Sequence, residues 1–175
     1  YGGINYIRFY DDETVTVRPL NMTSKNLKIF SDSIIMFWTG ITRSSESVLK
    51  EQEEKNKSSE DVLKKMKDQA LKLSKILTEV DLSIKNVGDL VNQGWEYKKT
   101  LASKISNQVI DGWYANALKH GALGGKISGA GGGGFLTLIA EPSGHIELSN
   151  KLAKQGLKRY GFGLNSRGTV VSEIT

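Results

Sequence analysis

The stretch Lys126-Ile127-Ser128-Gly129-Ala130-Gly131-Gly132-Gly133-Gly134-Phe135 decides how the chain is read, because five of its ten residues have no side chain. Glycine gives up conformational entropy wherever it is used, and it is kept where the backbone takes positive φ or must be approached closely. Successive backbone N–H groups in such a loop form a concave nest suited to phosphate oxygens. Other glycine templates fit badly. Gly129, Gly131 and Gly134 satisfy G-x-G-x-x-G, but that fingerprint follows a strand, opens a helix and is answered by an acid about 20 residues later. Here it is followed by Phe135-Leu136-Thr137-Leu138-Ile139-Ala140, an apolar run that reads as a buried strand, and position 154 is a lysine. A Walker A loop needs Gly-Lys-Ser/Thr, whereas Gly125-Lys126 is followed by Ile127. The protein-kinase motifs that would accompany a glycine loop are missing as well.

Outward from the loop, the pattern alternates between strand and helix. Gly3 to Phe9 and Thr14 to Arg18 read as a hairpin turned at Tyr10-Asp11-Asp12-Glu13 and ended by Pro19. Ile34 to Trp38 reads as a core strand closed by Thr39-Gly40. Ser44 or Ser45 is positioned to cap a helix running to Lys55, with a break at Asn56-Lys57-Ser58-Ser59. From Leu63 to Val91 the apolar residues step by three and four, which predicts two packed helices over 60–80 and 84–103. A partner-binding coiled coil is the competing use of that seam. Ser106 or Asn107 caps a further helix ending near Gly121, with His120 in its last turn, where a cation complements the dipole. After the strand at Phe135 to Ala140, the pattern predicts a helix from His145 to Tyr160 and a last strand from Thr169 to Ile174. The sum is an α+β fold, an antiparallel sheet with helices packed on one face.

Composition narrows the function. The 175 residues are enough for one domain with a sizeable core, and 38% hydrophobic with 25% charged residues is neither a disordered nor a membrane-spanning composition. Without cysteine there is no disulfide, thiol nucleophile or thiolate metal site, and His120 and His145 have no ligand spacing, so no metal site is expected. The net charge of +5 is spread over mixed runs such as Lys50 to Lys75, where acids alternate with lysines, so nucleic-acid binding is not expected and phosphorylated ligands fit the excess. No apolar run has the length of a membrane span.

With its flanks, Gly121 to Phe135 resembles the third signature of the GHMP small-molecule kinases, in the form used by the D-glycero-D-manno-heptose 7-phosphate kinase and fucokinase branch. Trp38-Thr39-Gly40-Ile41-Thr42-Arg43 resembles the aromatic-Thr-Gly-x-x-Arg segment of that branch. Tyr1 to Phe9 resembles the strand entering its second half, and Trp95-Glu96-Tyr97-Lys98-Lys99 resembles the helix before the third motif. The resemblance covers the latter half of such a kinase. It implies residues 1–20 as a remnant hairpin joining an absent N-terminal domain, and residues 21–175 as the C-terminal domain. The family's Gly-Leu-Gly-Ser-Ser-like nucleotide loop has no counterpart here, and the Asp that the family places before Tyr-Gly-Gly would precede Tyr1.

The resemblance implies an ATP-dependent, cytoplasmic sugar kinase, with ATP and Mg²⁺ as cofactors of the parent and a sugar or sugar phosphate as the other partner. The loop Gly129, Ala130, Gly131, Gly132, Gly133 and Gly134 would line the phosphoryl-transfer site. Thr39, Gly40 and Arg43 would face the sugar or its phosphate. Lys126 would add charge, or else point to solvent from a strand. No catalytic residue is expected within these 175 residues, which alone would be inactive. The alternative is a non-catalytic anion-binding module built on the same loop.

Overall fold

A computed structural model describes residues 1–42, 46–55 and 59–170. The hairpin forms as β1 (Asn5–Phe9) and β2 (Val15–Pro19), paired antiparallel with Ile7 opposite Val17. It is separate from a four-stranded antiparallel sheet of order β4-β5-β3-β6. Those strands are β3 (Ile34–Trp38), β4 (Ala122–Ile127), β5 (Phe135–Ala140) and β6 (Lys158–Tyr160).

Six helices surround the sheet: α1 (Ser24–Ser33), α2 (Glu46–Lys55), α3 (Glu60–Leu77), α4 (Ile84–Lys99), α5 (Gln108–Lys119) and α6 (His145–Ala153). The fold is the expected α+β arrangement. Period-two alternation puts Ile35, Phe37, Leu136, Leu138 and Ile127 on one sheet face, all buried, against Ile110, Tyr114 and Ala117 of α5 and Leu148 and Leu152 of α6. A smaller cluster of Leu77, Ile84, Val87 and Ile139 ties α3 and α4 to the sheet, with Ile29 and Phe30 of α1 packed on it. The apolar seam over Leu63 to Val91 is therefore largely spent on packing within the fold.

The starts of α1, α4 and α5 follow their side-chain caps. Asn107, of the two caps proposed for α5, accepts from the N–H groups of Val109 and Ile110, both at 3.0 Å. The neighbouring Ser106 instead donates to Asp111 at 2.8 Å. His120 is the C-cap of α5, with Nδ1 3.6 Å from Glu147. Ser83 caps α4 through Asn86 N–H at 3.3 Å. Ser44 and Ser45 lie outside the described residues, as does most of the break at 56–59.

Several elements depart from the sequence reading, α3 among them, which ends at Leu77 rather than at residue 80. Helix α1, which the pattern did not mark, is capped by Thr23 and runs without a linker into β3, so no glycine or proline punctuates it. Helix α4 stops at Lys99 rather than Ser103, and the turn after it buries Leu101, Ala102 and Ile105. Helix α6 ends at Ala153, not Tyr160, because Gly156 takes φ +87° and Leu157 N–H closes back on Leu152 O at 3.2 Å. That turn sends 158–160 into the sheet as β6, with Tyr160 opposite Met36. Thr169 and Val170 form no strand, and the remainder of the expected last strand lies outside the described residues.

Strand β4 carries Gly124 and Gly125 because two neighbours leave no room for a Cβ. A Cβ on Gly124 would lie 2.1 Å from Gly88 O of α4, and one on Gly125 would lie 2.6 Å from Thr137 O of β5. Helix α4 thus rests on bare backbone.

Candidate functional site

The glycine loop is the connection between β4 and β5, at the end of the sheet where β3 also finishes. Three segments hold it. Gly132 N–H donates to Ile105 O at 2.7 Å, in the turn after α4. Gly134 N–H donates to Ile41 O at 2.8 Å, and Gly134 O accepts both Thr39 N–H at 3.0 Å and Thr39 Oγ1 at 2.7 Å. At the loop's start, Ser128 N–H donates to Phe135 O at 2.9 Å.

Gly131 takes φ +108°, and a Cβ there would stand 2.8 Å from Ile105 O. A Cβ on Gly133 would stand 2.5 Å from Ile41 O. The glycines are thus needed for fit as well as for backbone freedom.

These contacts divide the loop's donors. The N–H groups of Gly132 and Gly134 are spent on protein carbonyls, whereas those of Gly129, Ala130, Gly131 and Gly133 have no acceptor among the described residues. The open side is a shallow cleft of about 250 Å³ lined by Trp38, Ile41, Ser128, Ala130, Gly131 and Gly133 among others. Trp38 packs against Phe135 in a tilted pair with ring centroids 5.1 Å apart, and Phe135 meets Tyr160 edge-on at 5.6 Å, which stiffens the floor beside the loop.

Thr39 and Gly40 are brought to the loop as the sequence suggests, but Thr39 is 6% exposed and its hydroxyl is occupied on both sides, donating to Gly134 and accepting Ile41 N–H at 3.3 Å. It clips the loop to β3, where the resemblance implies a ligand contact. Gly40, exposed at φ +72°, provides the turn beyond it. Arg43 lies outside the described residues. Lys126 is exposed on β4.

Lys98 is the residue the sequence reading passed over. From the last turn of α4 its Nζ donates to Gly129 O, so a half-buried ammonium stands beside the loop. Burial, with the like charge of Lys126 added, pushes Lys98 down from 10.5 to about 8. Between about 8 and 10.5 the unfolded chain keeps a proton that the folded one has released, so this group makes stability rise with pH through that window. Urea midpoints at pH 7.5 and 9.5 should therefore move upward, less the contribution of other groups, and the rise should shrink in Lys98→Met. An unchanged rise in the variant would remove Lys98 as its source.

On the acid side, Glu51 of α2 accepts from Ser103 N–H at 2.8 Å and Ser103 Oγ at 2.9 Å, and Lys55 donates to it at 2.7 Å. The Lys55 hydrogen bond first, then those from Ser103, hold its carboxyl at about 2. The link fixes α2 to the turn that carries Ile105, the loop's own anchor.

Residues 80–158 match the family described as GHMP kinases C terminal. That stretch, from the α3–α4 connection to β6, is where the chain is similar to the C-terminal part of GHMP kinases. It is 27% identical over 159 residues to a D-glycero-alpha-D-manno-heptose 7-phosphate kinase of Campylobacter jejuni, covering 89% of this chain and 46% of that protein. It is 31% identical over 130 residues to an L-fucokinase/L-fucose-1-P guanylyltransferase of Bacteroides fragilis, covering 71% of this chain and 13% of that protein. In three dimensions it superposes on a D-glycero-D-manno-heptose 1-phosphate kinase of Bacteroides thetaiotaomicron with a TM-score of 0.66, at 20% identity, over 98% of this chain and 46% of the other. The chain therefore spans about half the length of the first of these relatives. Among the described residues no helix is long and apolar enough to cross a membrane, and no group of three or more acids and histidines could hold a metal ion.

Proposed function

We propose that this chain forms the C-terminal part of an ATP-dependent sugar kinase that phosphorylates a heptose 7-phosphate at its anomeric oxygen. The observation that carries the reading is the glycine loop: four N–H groups without an acceptor among the described residues, on a backbone clipped at Ile41, Ile105 and Thr39. In phosphoryl transfer the protein mostly positions the reactants and neutralises charge on the moving group. Fixed donors in a loop that does not reorganise suit that task. Lys98 adds a cation at the loop's edge, and Arg43 is assigned to the sugar phosphate, where a planar guanidinium binds bidentately. ATP would place its terminal phosphate toward Gly129, Ala130 and Gly133. Mg²⁺ would come with the nucleotide, and no residue of this chain is assigned to it. Residues 1–20 would join the N-terminal domain, residues 21–175 would be the C-terminal one, and the enzyme would work in the cytoplasm.

The test is a coupled ADP-release assay on the natural polypeptide with ATP and D-glycero-D-manno-heptose 7-phosphate. Turnover is expected there, with none from the 175-residue chain alone. Arg43→Ala is expected to raise KM for the heptose phosphate at least about tenfold, the scale of one lost charge-assisted hydrogen-bond pair. Turnover with L-fucose but not with the heptose phosphate would move the substrate to the other branch. Phosphate-ester binding without turnover of any sugar would favour the binding-module reading.

A further inference from the structure

Lys98 and Lys126 stand together without a counter-ion. Neither makes an ion pair among the described residues, and the one hydrogen bond of Lys98 is to the Gly129 carbonyl. Both line a cleft between α3 and α4 of about 210 Å³, whose remaining walls include Met66, Leu73, Leu90, Val91 and Trp95. For scale, an apolar cavity of about 150 Å³ is enough to take benzene. Trp95 is 1% exposed, and its indole N–H is buried with no acceptor. A buried donor left unpaired is uncommon enough to need a cause.

We propose that this cleft is a binding site for a small anion carrying a single-ring apolar body, its charged group held by Lys98 and Lys126 and its ring between α3 and α4. Opposite charge would relieve the repulsion between the half-buried Lys98 ammonium and the exposed Lys126 beside it. Gly94, in the middle of α4, lines the same cleft, and a Cβ there would meet only the Gln69 amide oxygen at 3.2 Å. At that distance a side chain on Gly94 would press on Gln69, so α4 presents bare backbone to this wall of the cleft. Because Lys98 also bonds the Gly129 carbonyl, an occupant would compete for the ammonium that borders the glycine loop. The site is separate from the loop's own open face and does not depend on the kinase reading.

The experiment titrates the natural full-length polypeptide with phenyl phosphate, using calorimetry for affinity and the ¹⁵N-labelled indole resonance of Trp95 for location. One saturable site is expected, with a shift of that resonance. Lys98→Met, Lys126→Met and Gly94→Leu, which fills the cleft, should each weaken binding at least about tenfold, as should replacing the probe with uncharged benzyl alcohol. Circular dichroism identifies any variant that has not folded, and the benzyl alcohol comparison needs no variant at all. Inorganic phosphate binding as tightly as phenyl phosphate would overturn the proposal, assigning the lysines to phosphate alone. Unaltered affinity in Gly94→Leu, or no saturable binding, would overturn it too. A protein that binds phenyl phosphate but phosphorylates no sugar keeps this site and loses only the kinase reading.

Discussion

Gly124→Ala is expected to destabilise the domain by about 3 kcal/mol or more, the upper range for overpacking a filled interior. The added methyl would sit 2.1 Å from Gly88 O and 2.9 Å from Asn92 N, both main-chain atoms of α4 that no rotamer change can move aside. Relief requires α4 to lift from β4. That movement would break the hydrogen bonds from Tyr114 Oη to Asn92 Oδ1 at 2.7 Å and to Gly125 O at 3.3 Å, which join α5, α4 and β4. Burial already raises the Tyr114 phenol well above its ordinary range, so the hydroxyl stays protonated and donates throughout the usual pH range. Urea denaturation of Gly124→Ala beside Gly112→Ala, whose added methyl would meet nothing within 4 Å, makes the comparison. Equal midpoints would show that α4 and β4 are not in the close contact described.

The second large effect is expected in activity rather than in folding. Gly131→Ala would place a methyl 2.8 Å from Ile105 O and 2.9 Å from Ile105 Cα, at a φ of +108° that an L-residue avoids. The loop must then pull away from the turn after α4 and give up the Gly132 to Ile105 hydrogen bond. A displacement of about 1 Å in a positioning element costs roughly a hundredfold in rate. In the proposed kinase, kcat for Gly131→Ala should therefore fall by about two orders of magnitude, while the loss of stability stays near 1–3 kcal/mol. Gly129→Ala is the control. It also has positive φ, at +81°, but its methyl would meet nothing within 4 Å, so a smaller effect is expected. If the two variants kept equal, near-normal activity, the loop's anchorage to Ile105 would be irrelevant to catalysis.

The sequence was legible where residue type and local structure agree. Apolar runs gave β3 and β5, the three-four stepping gave α3 and α4, and Asn107 marked the start of α5. It was misleading where tertiary packing set the residue type. No strand is marked over Ala122 to Ile127 because Gly124 and Gly125 are poor strand formers, yet α4 and β5 admit nothing larger there. Strand β6 is only three residues long and exposed, so no apolar alternation announces it. Within the site, the glycines and Thr39 could be found from sequence, but the use of the Thr39 hydroxyl to hold Gly134 could not. Lys98 was quoted only as part of a family-like segment, because a lysine on a helix reads as solvated until the fold sets it against Gly129. The unpaired indole N–H of Trp95 has no signature in sequence at all.

Thr39 and Gly134 are 95 positions apart in the chain, and the clip between them closes only when β3 and β5 pair. Contacts of such long separation pay their loop-closure entropy before any local reward. The glycine loop therefore cannot rehearse its shape in an unfolded or partly folded chain. Its two anchored amides, Gly132 and Gly134, will exchange their hydrogens with solvent only as fast as the sheet itself opens, whereas the free amides a residue or two away exchange from the native state. One short loop thus contains amides that exchange only on opening beside amides that exchange from the native fold.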